Sequence, residues 1–153
     1  MIVRKANNTK KDCDLVYALS NDPIVRSCSF NQNIIEYANH ISWFKRSVED
    51  KKVLFLLVFV DKTENDFIGQ IRFNRESELS ESCIISLSIT EQYRGKHIAS
   101  DFIELGINEL KRNWPNIKKI IAEVKNENIA SNKLFSREKF ELISIINTYE
   151  KII

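Results

Sequence analysis

Apolar positions along the chain recur with two different periods. Residues 53–60, Val-Leu-Phe-Leu-Leu-Val-Phe-Val, are apolar without a break. A short run this rich in β-branched and aromatic residues predicts a central strand buried on both faces. Residues 67–73 instead alternate. Phe67, Ile71 and Phe73 share one face, and Gln70 and Arg72 share the other. The polar link from Asp61 to Asp66 joins the two runs as a hairpin. Ser82 to Thr90 alternates again, with Cys83, Ile85, Leu87 and Ile89 opposite Ser82, Ile84, Ser86, Ser88 and Thr90. Small hydroxyls along one face of a central strand suit a narrow ligand tunnel, or equally a solvated edge.

Elsewhere the period is that of a helix. Ile34, Ala38, Ile41, Phe44 and Val48 predict a helix over 34–48. Ala99, Ile103, Gly106, Ile107, Leu110 and Trp114 form a stripe that predicts a helix from Lys96 to about Asn113, ended by Pro115. Ile2 to Ala6 reads as a first strand. Asp12 or Asp14 is placed to cap a helix running to about Ser20. Asn21-Asp22-Pro23 then breaks the chain, and 25–33 reads as irregular. Ile117 to Val124 is a strand and Ile129 to Arg137 a short helix. Phe140 to Ile153 returns to strand character, interrupted near Asn147. The order β-α-α-β-β-β-α-β-α-β is an α+β arrangement around one mixed sheet. With no repeat, linker or low-complexity stretch, residues 1–153 are expected to form a single domain.

Charge narrows the function. Lys and Arg number 23 against 21 acids, a net charge of +2. A dedicated nucleic-acid binder usually carries a larger basic excess, so no nucleic-acid partner is expected. The longest apolar run is too short to span a membrane, and the first residues lack a signal-peptide core. Cys13, Cys28 and Cys83 are odd in number and without metal-ligand spacing. Three reduced thiols, no metal and a cytoplasmic location are the expectation.

The chemistry concentrates between Ser86 and Ala99. Strand character gives way to Gln92-Tyr93-Arg94-Gly95-Lys96-His97-Ile98-Ala99 and then to a helix. The chain has only three glycines, and one stands at this junction. A loop that opens a helix presents unpaired first-turn N–H groups. The helix dipole and the basic side chains add positive charge, and Gly95 removes a side chain that would hold an anion off the backbone. A phosphate or pyrophosphate is the simplest ligand for such a place. A plain helix start with chance basic neighbours is the alternative reading.

This stretch resembles the acyl-CoA-binding motif of the GNAT N-acetyltransferases, Gln/Arg-x-x-Gly-x-Gly/Ala. Gln92 and Gly95 match, and His97 stands where Gly or Ala is usual. The element order is similar to the GNAT fold over essentially the whole chain, a central mixed sheet flanked by helices. Residues 126–135 followed by Phe140 resemble the family's Asn-x-x-Ser helix. The resemblance implies acetyl-CoA as cofactor, held by Leu87, Ser88, Ile89, Gln92, Tyr93, Arg94, Gly95, Lys96, His97, Ile98, Ala99, Asn128, Ser131 and Lys133. Asn128 and Ser131 are also ordinary helix-capping types. Phe135 occupies the position where many members carry a proton-donating tyrosine, and Lys139 replaces the usual Gly before the final Phe. Tyr93 and Tyr149 are the nearby hydroxyls that remain.

Asn21-Asp22-Pro23, Ser29-Phe30-Asn31, His40-x-x-Trp43-Phe44 and Gly69-Gln70-Ile71-Arg72-Phe73 look like one GNAT branch, which acetylates nucleotide-linked amino sugars. That resemblance implies acceptor contacts at Arg26, Phe30, Trp43, Gln70 and Arg72. Its relatives act on protein N-termini, amino acids or antibiotics, and a non-catalytic acyl-CoA-binding module is a further alternative. The expected reaction is direct attack of an amine on the thioester. His40 is the first candidate base because its ordinary pKa lies near neutral, although such a residue is also commonly a packed helix histidine. Glu123, at a strand end, is the second. Either a monomer or a homodimer fits.

Overall fold

The computed structural model describes residues 1–144 and 148–153. Seven strands make one sheet in the order β1-β2-β3-β4-β5-β7-β6. They are β1 (Ile2–Lys5), β2 (Val53–Phe59), β3 (Phe67–Asn74), β4 (Ser82–Ile89), β5 (Lys119–Glu123), β6 (Glu141–Ser144) and β7 (Thr148–Ile152). All neighbours are antiparallel except β4 and β5, which run parallel. The α+β class and mixed sheet match the expectation. The final strand region gives two strands rather than one, and Asn147, where the pattern breaks, lies outside the described residues.

Among the described residues, five α-helices complete the fold: α1 (Lys10–Ser20), α2 (Pro23–Cys28), α3 (Tyr37–Glu49), α4 (Ala99–Asn113) and α5 (Ile129–Arg137). Strand β2 is covered on both faces, as its unbroken apolar run requires. Leu54, Leu56 and Val58 pack with Ile71, Phe73, Cys83, Ile85 and the α4 residues Phe102, Ile103, Ile107 and Leu110. Phe55, Leu57 and Phe59 pack on the opposite face with Cys13, Val16 and Leu19 of α1 and Phe44 of α3.

Local chemistry moves several boundaries. Thr9, not Asp12 or Asp14, caps α1, its hydroxyl accepting from the Asp12 N–H at 3.3 Å. Asp12 faces inward and receives both Arg4 Nη groups at 2.7 and 2.8 Å. Burial would raise the Asp12 carboxyl, but the Arg4 fork and the Asn7 N–H outweigh it and hold it below the ordinary value. Pro23 does not merely break the chain. It opens α2 at a first-turn position, where its missing N–H is no loss, and the Asp22 carboxylate caps Ile24 and Val25. Helix α3 starts at Tyr37, and Ile34, Ala38 and Ile41 are exposed. Phe44 is buried as expected, but its buried neighbours on the helix are His40 and the half-buried Trp43, because the aromatic rings fill the space above Phe55. Helix α4 starts at Ala99, where its apolar stripe begins and three residues after the expected start at Lys96.

One close approach sets up the site. A Cβ at Gly69 on β3 would lie 2.1 Å from the Ser88 carbonyl oxygen and 3.1 Å from Phe102. Only glycine lets β3, β4 and α4 meet at this end of the sheet.

Candidate functional site

Strand β4 is paired with β3 through to its C-terminal end at Ile89 but with β5 only over its first half. On β3 the register runs from Asn74↔Ile84 to Gly69↔Ile89. On β5 it ends at Ile85↔Ala122. The Thr90 N–H donates to the Ile68 carbonyl at 2.8 Å. Bonded positions alternate along an antiparallel ladder, so the amides of Leu87 and Ile89 face away from β3, into the gap where β5 has stopped. Leu87, Ser88 and Ile89 therefore line a split in the sheet.

The split leads into the basic loop. Glu91–Tyr93 forms a single 3-10 turn, and Gly95 then takes φ +72°. Nothing lies within 4 Å of where its Cβ would be, so space opens directly over the backbone. His97 adopts φ +59°, the left-handed region that a β-carbon disfavours by about 1–2 kcal/mol. This favours Gly at that position. Its side chain is exposed, as are Gln92 and Lys96, while Tyr93, Ile98 and Ala99 are half-buried. Helix α4 begins with Ile98 at its cap and no side chain bonded to its first N–H groups. Those donors point at whatever occupies the loop.

Arg94 has a different role from the one expected. Its Nε donates to the Ile89 carbonyl at 2.8 Å and its Nη2 lies 2.9 Å from the Asp22 carboxylate. It pins the loop to the end of β4 and to the start of α2. A cation that the motif does not mark, Arg137 at the end of α5, donates to Ser100 Oγ at 2.7 Å in the first turn of α4. The tertiary approach of α5 to α4 puts it there, and no local signal announces it.

Helix α5 forms the far side. Asn128 caps it, accepting from the Ser131 N–H at 3.1 Å, and Lys133 is exposed. Asn132 also donates to the Lys125 and Asn128 carbonyls at 2.9 and 3.0 Å, fixing the turn that precedes the helix. Phe135 is buried, edge-on to Phe140 at 5.0 Å and stacked on Tyr149 at 6.0 Å. The Tyr149 hydroxyl donates to Asn132 Oδ1 at 2.7 Å, so its proton is committed to the fold.

The sheet face opposite α4 carries the remaining candidates. Arg72 and Gln70 on β3 stand opposite Ser86 and Ser88 on β4. Glu123 follows Ala122, the last β5 residue paired to β4, and so lies at the mouth of the split. It is exposed and makes no hydrogen bond or ion pair among the described residues. Trp43 leans over this face, its ring 5.1 Å from the Arg72 guanidinium. Arg26 is not in this group. Its donors go to the Ser20, Asn31 and Asn33 carbonyls and to Ser29 Oγ, at 2.5–3.3 Å, and they order the α2–α3 loop. Phe30 is 63% exposed at the tip of that loop, 6.0 Å from Lys125 Nζ. Beside it, a cleft of about 560 Å³ runs between Ser27, Cys28 and Gln32 and the turn at Lys125, Glu127 and Asn128.

His40 is 1% exposed. Its Nε2 donates to the Cys13 carbonyl at 3.0 Å, and Tyr17, Trp43 and Phe44 surround the ring at 5.2–6.0 Å. It holds α1 against α3 and props Trp43. Burial pushes its pKa below the ordinary 6.5, so the folded protein keeps the ring neutral while the unfolded chain protonates it. Protons then favour unfolding. This group's contribution to stability should fall as the pH drops below about 6.5, with a slope approaching about 1.4 kcal/mol per pH unit. Urea unfolding of His40→Leu should lack that slope between pH 6.5 and about 4.5. Below that range Asp12 and Asp22, both lowered in the fold, begin to contribute.

The family model of the GNAT acetyltransferase domain matches residues 1–141. Among solved structures, the chain is similar to spermidine N-acetyltransferase from Vibrio cholerae in complex with CoA and spermine. That match has a TM-score of 0.83 and 17% identity and covers 99% of this chain and 94% of that one. It is similar to ribosomal-protein-alanine N-acetyltransferase from Brucella melitensis, with a TM-score of 0.79 and 19% identity over 100% of both chains. It is also similar to an acetyltransferase from Salmonella typhimurium described with its cofactor acetyl-CoA, with a TM-score of 0.75 and 15% identity over 99% and 93%. No curated protein sequence matches. The chain belongs to the GNAT family of acetyl-CoA-dependent N-acetyltransferases. Its residues fit that cofactor, since the open Gly95 turn, the uncapped start of α4 and the half-paired β4 together offer a row of free backbone donors. Among the described residues, no His, Cys, Asp and Glu cluster could hold a metal, and no helix is long and apolar enough to cross a membrane.

Proposed function

We propose that this chain acetylates the primary amine of a small molecule, a nucleotide-linked amino sugar, by direct attack. The observation that carries the reaction is the split after Ile85 and Ala122, which frees backbone donors beside a glycine turn and a helix start. Acetyl-CoA, when bound, supplies a thioester carbonyl already activated toward an amine. Gln92, Tyr93, Gly95, Lys96, His97, Ile98 and Ala99 hold its phosphates, with Asn128, Ser131 and Lys133 along α5. The amides of Leu87 and Ile89 meet the charge that develops on the carbonyl oxygen. Glu123 takes the amine proton, directly or through one water. It serves better than His40, whose buried ring bonds the Cys13 carbonyl. Phe135 has no proton to give, and a thiol titrating near about 8.5 leaves without strong acid help. Three free thiols suit the reducing cytoplasm, with residues 1–153 acting as a single domain, as monomer or homodimer.

Thiol release from acetyl-CoA, measured over a panel of amines, tests this reading. Release with UDP-linked amino sugars, and little with peptides or polyamines, is the expected result. Release with peptide N-termini, amino acids or aminoglycosides alone would move the chain to another acceptor. Tight acetyl-CoA binding with no release for any amine would leave a binding module.

A further inference from the structure

Arg72 is an arginine without a polar side-chain partner among the described residues. It projects from the middle of β3, half-buried, and makes no hydrogen bond or ion pair among the described residues. Its Nε is fully enclosed and unbonded. Trp43 at 5.1 Å and Phe55 at 6.0 Å take the charge on their ring faces. Ring faces satisfy charge but not the in-plane N–H donors, of which a guanidinium has five. Other arginines in the fold are differently served. Arg4 holds two carboxylates, Arg94 holds one, and Arg26 holds three carbonyls and a hydroxyl. Burial of an unpaired cation is costly, and here it lowers the Arg72 pKa.

Gln70, two residues along the same strand face, repeats the pattern. Its Oε1 is buried and accepts no hydrogen bond. Both side chains stand across from β4 residues at the split, Ser86 and Ser88. Strand rise and spacing put Arg72 roughly 8 Å from the free amides of β4, measured over the sheet face. A donor fork and an acceptor oxygen thus wait side by side, a few bonds from where the amine must sit.

We propose that Arg72 binds an oxyanion of the acceptor, carboxylate or phosphate, in a bidentate pair, while Gln70 Oε1 accepts an O–H or N–H of the same molecule. The acceptors of this chain are then anionic amines and not polyamines. This rests on the acetyltransferase reading above for the word acceptor, but the anion subsite itself stands on Arg72 and Gln70.

Trp43 reports the subsite directly. The chain has two tryptophans, so Trp114→Phe leaves Trp43 as the single emitter. Its fluorescence is titrated with inorganic phosphate and, separately, acetate, with acetyl-CoA present to occupy the loop. A saturable change is expected, weakened at least about tenfold by Arg72→Met and partly restored by Arg72→Lys, which keeps the charge but loses the fork. A non-saturable response, or one that Arg72→Met leaves unchanged while circular dichroism reports native fold, overturns the subsite. Thiol release with glucosamine 1-phosphate, glutamate, glucosamine and spermidine then separates the sources. Preference for the first names phosphate and for the second carboxylate, each lost in Arg72→Met. Preference for glucosamine or spermidine overturns the proposal. Failure to bind acetyl-CoA would sink the acetyltransferase reading while leaving the Trp43 titration to judge the subsite alone.

Discussion

Glu123→Gln should lower turnover about a hundred- to a thousandfold at saturating amine, with acetyl-CoA affinity unchanged. The residue stands one step beyond the Ile85↔Ala122 pair, where β4 and β5 have already separated. It is exposed and unbonded among the described residues, so its carboxylate is free to take a proton. The amide keeps size and polarity but cannot accept that proton at neutral pH, so a loss confined to kcat isolates the transfer. Steady-state thiol release against amine concentration gives kcat, and calorimetry gives acetyl-CoA binding. Unchanged turnover would remove Glu123 from the base role. Weaker cofactor binding with the same turnover would make it a contact and not a base.

Gly95→Glu should weaken acetyl-CoA at least about a hundredfold, the largest binding effect expected of any single change. Two causes act together. Any side chain at φ +72° strains the turn, by about 1–2 kcal/mol. A carboxylate there also places negative charge against an anion at short range, where repulsion is strong once water is displaced. Gly95→Ala separates the two. Nothing lies within 4 Å of the added methyl, so it carries the strain alone and should shift affinity tenfold or less. Calorimetric titration of both variants decides. Equal affinity in Gly95→Glu and the parent protein would place the phosphates elsewhere.

The sheet was legible because its pattern is local. An unbroken apolar run, two alternating runs and a hairpin link are each readable within eight residues, and β2, β3 and β4 follow them closely. The glycine loop was legible for the same reason, since Gly95 marks a turn that other residues resist. Helix α3 was misphased because two stripes compete on it. Both stripes include Phe44, which is buried as expected, but Ile34, Ala38 and Ile41 fit the helical period as well as His40 and Trp43, and only the packing on Phe55 decides between them. Helix α2 was hidden because Pro23 reads as a breaker unless Asp22 is recognised as its cap. The roles of arginines were least legible. Arg26, Arg72, Arg94 and Arg137 are alike in sequence, yet they order a loop, stand without a polar side-chain partner, pin the Gly95 loop and reach the first turn of α4. What separates them is which oxygens the fold brings within reach: nearby loop and strand carbonyls for Arg26 and Arg94, and side chains distant in the chain, Asp22 and Ser100, for Arg94 and Arg137.

Arg94 carries a consequence for the energetics of ligand capture. A loop of bare backbone donors would ordinarily sample many shapes, and a ligand would have to freeze it. Here the Ile89 carbonyl and the Asp22 carboxylate hold the guanidinium from two elements at once, at 2.8 and 2.9 Å. The loop is thereby tethered beside Gly95 by contacts within the fold itself. On the proposed reading of this loop as the phosphate site, part of the entropy of ordering is met by the fold itself, so more of each phosphate contact would be left to appear as affinity. Asp22 also caps α2, and so the same carboxylate that starts one helix preorganises the binding loop ahead of another.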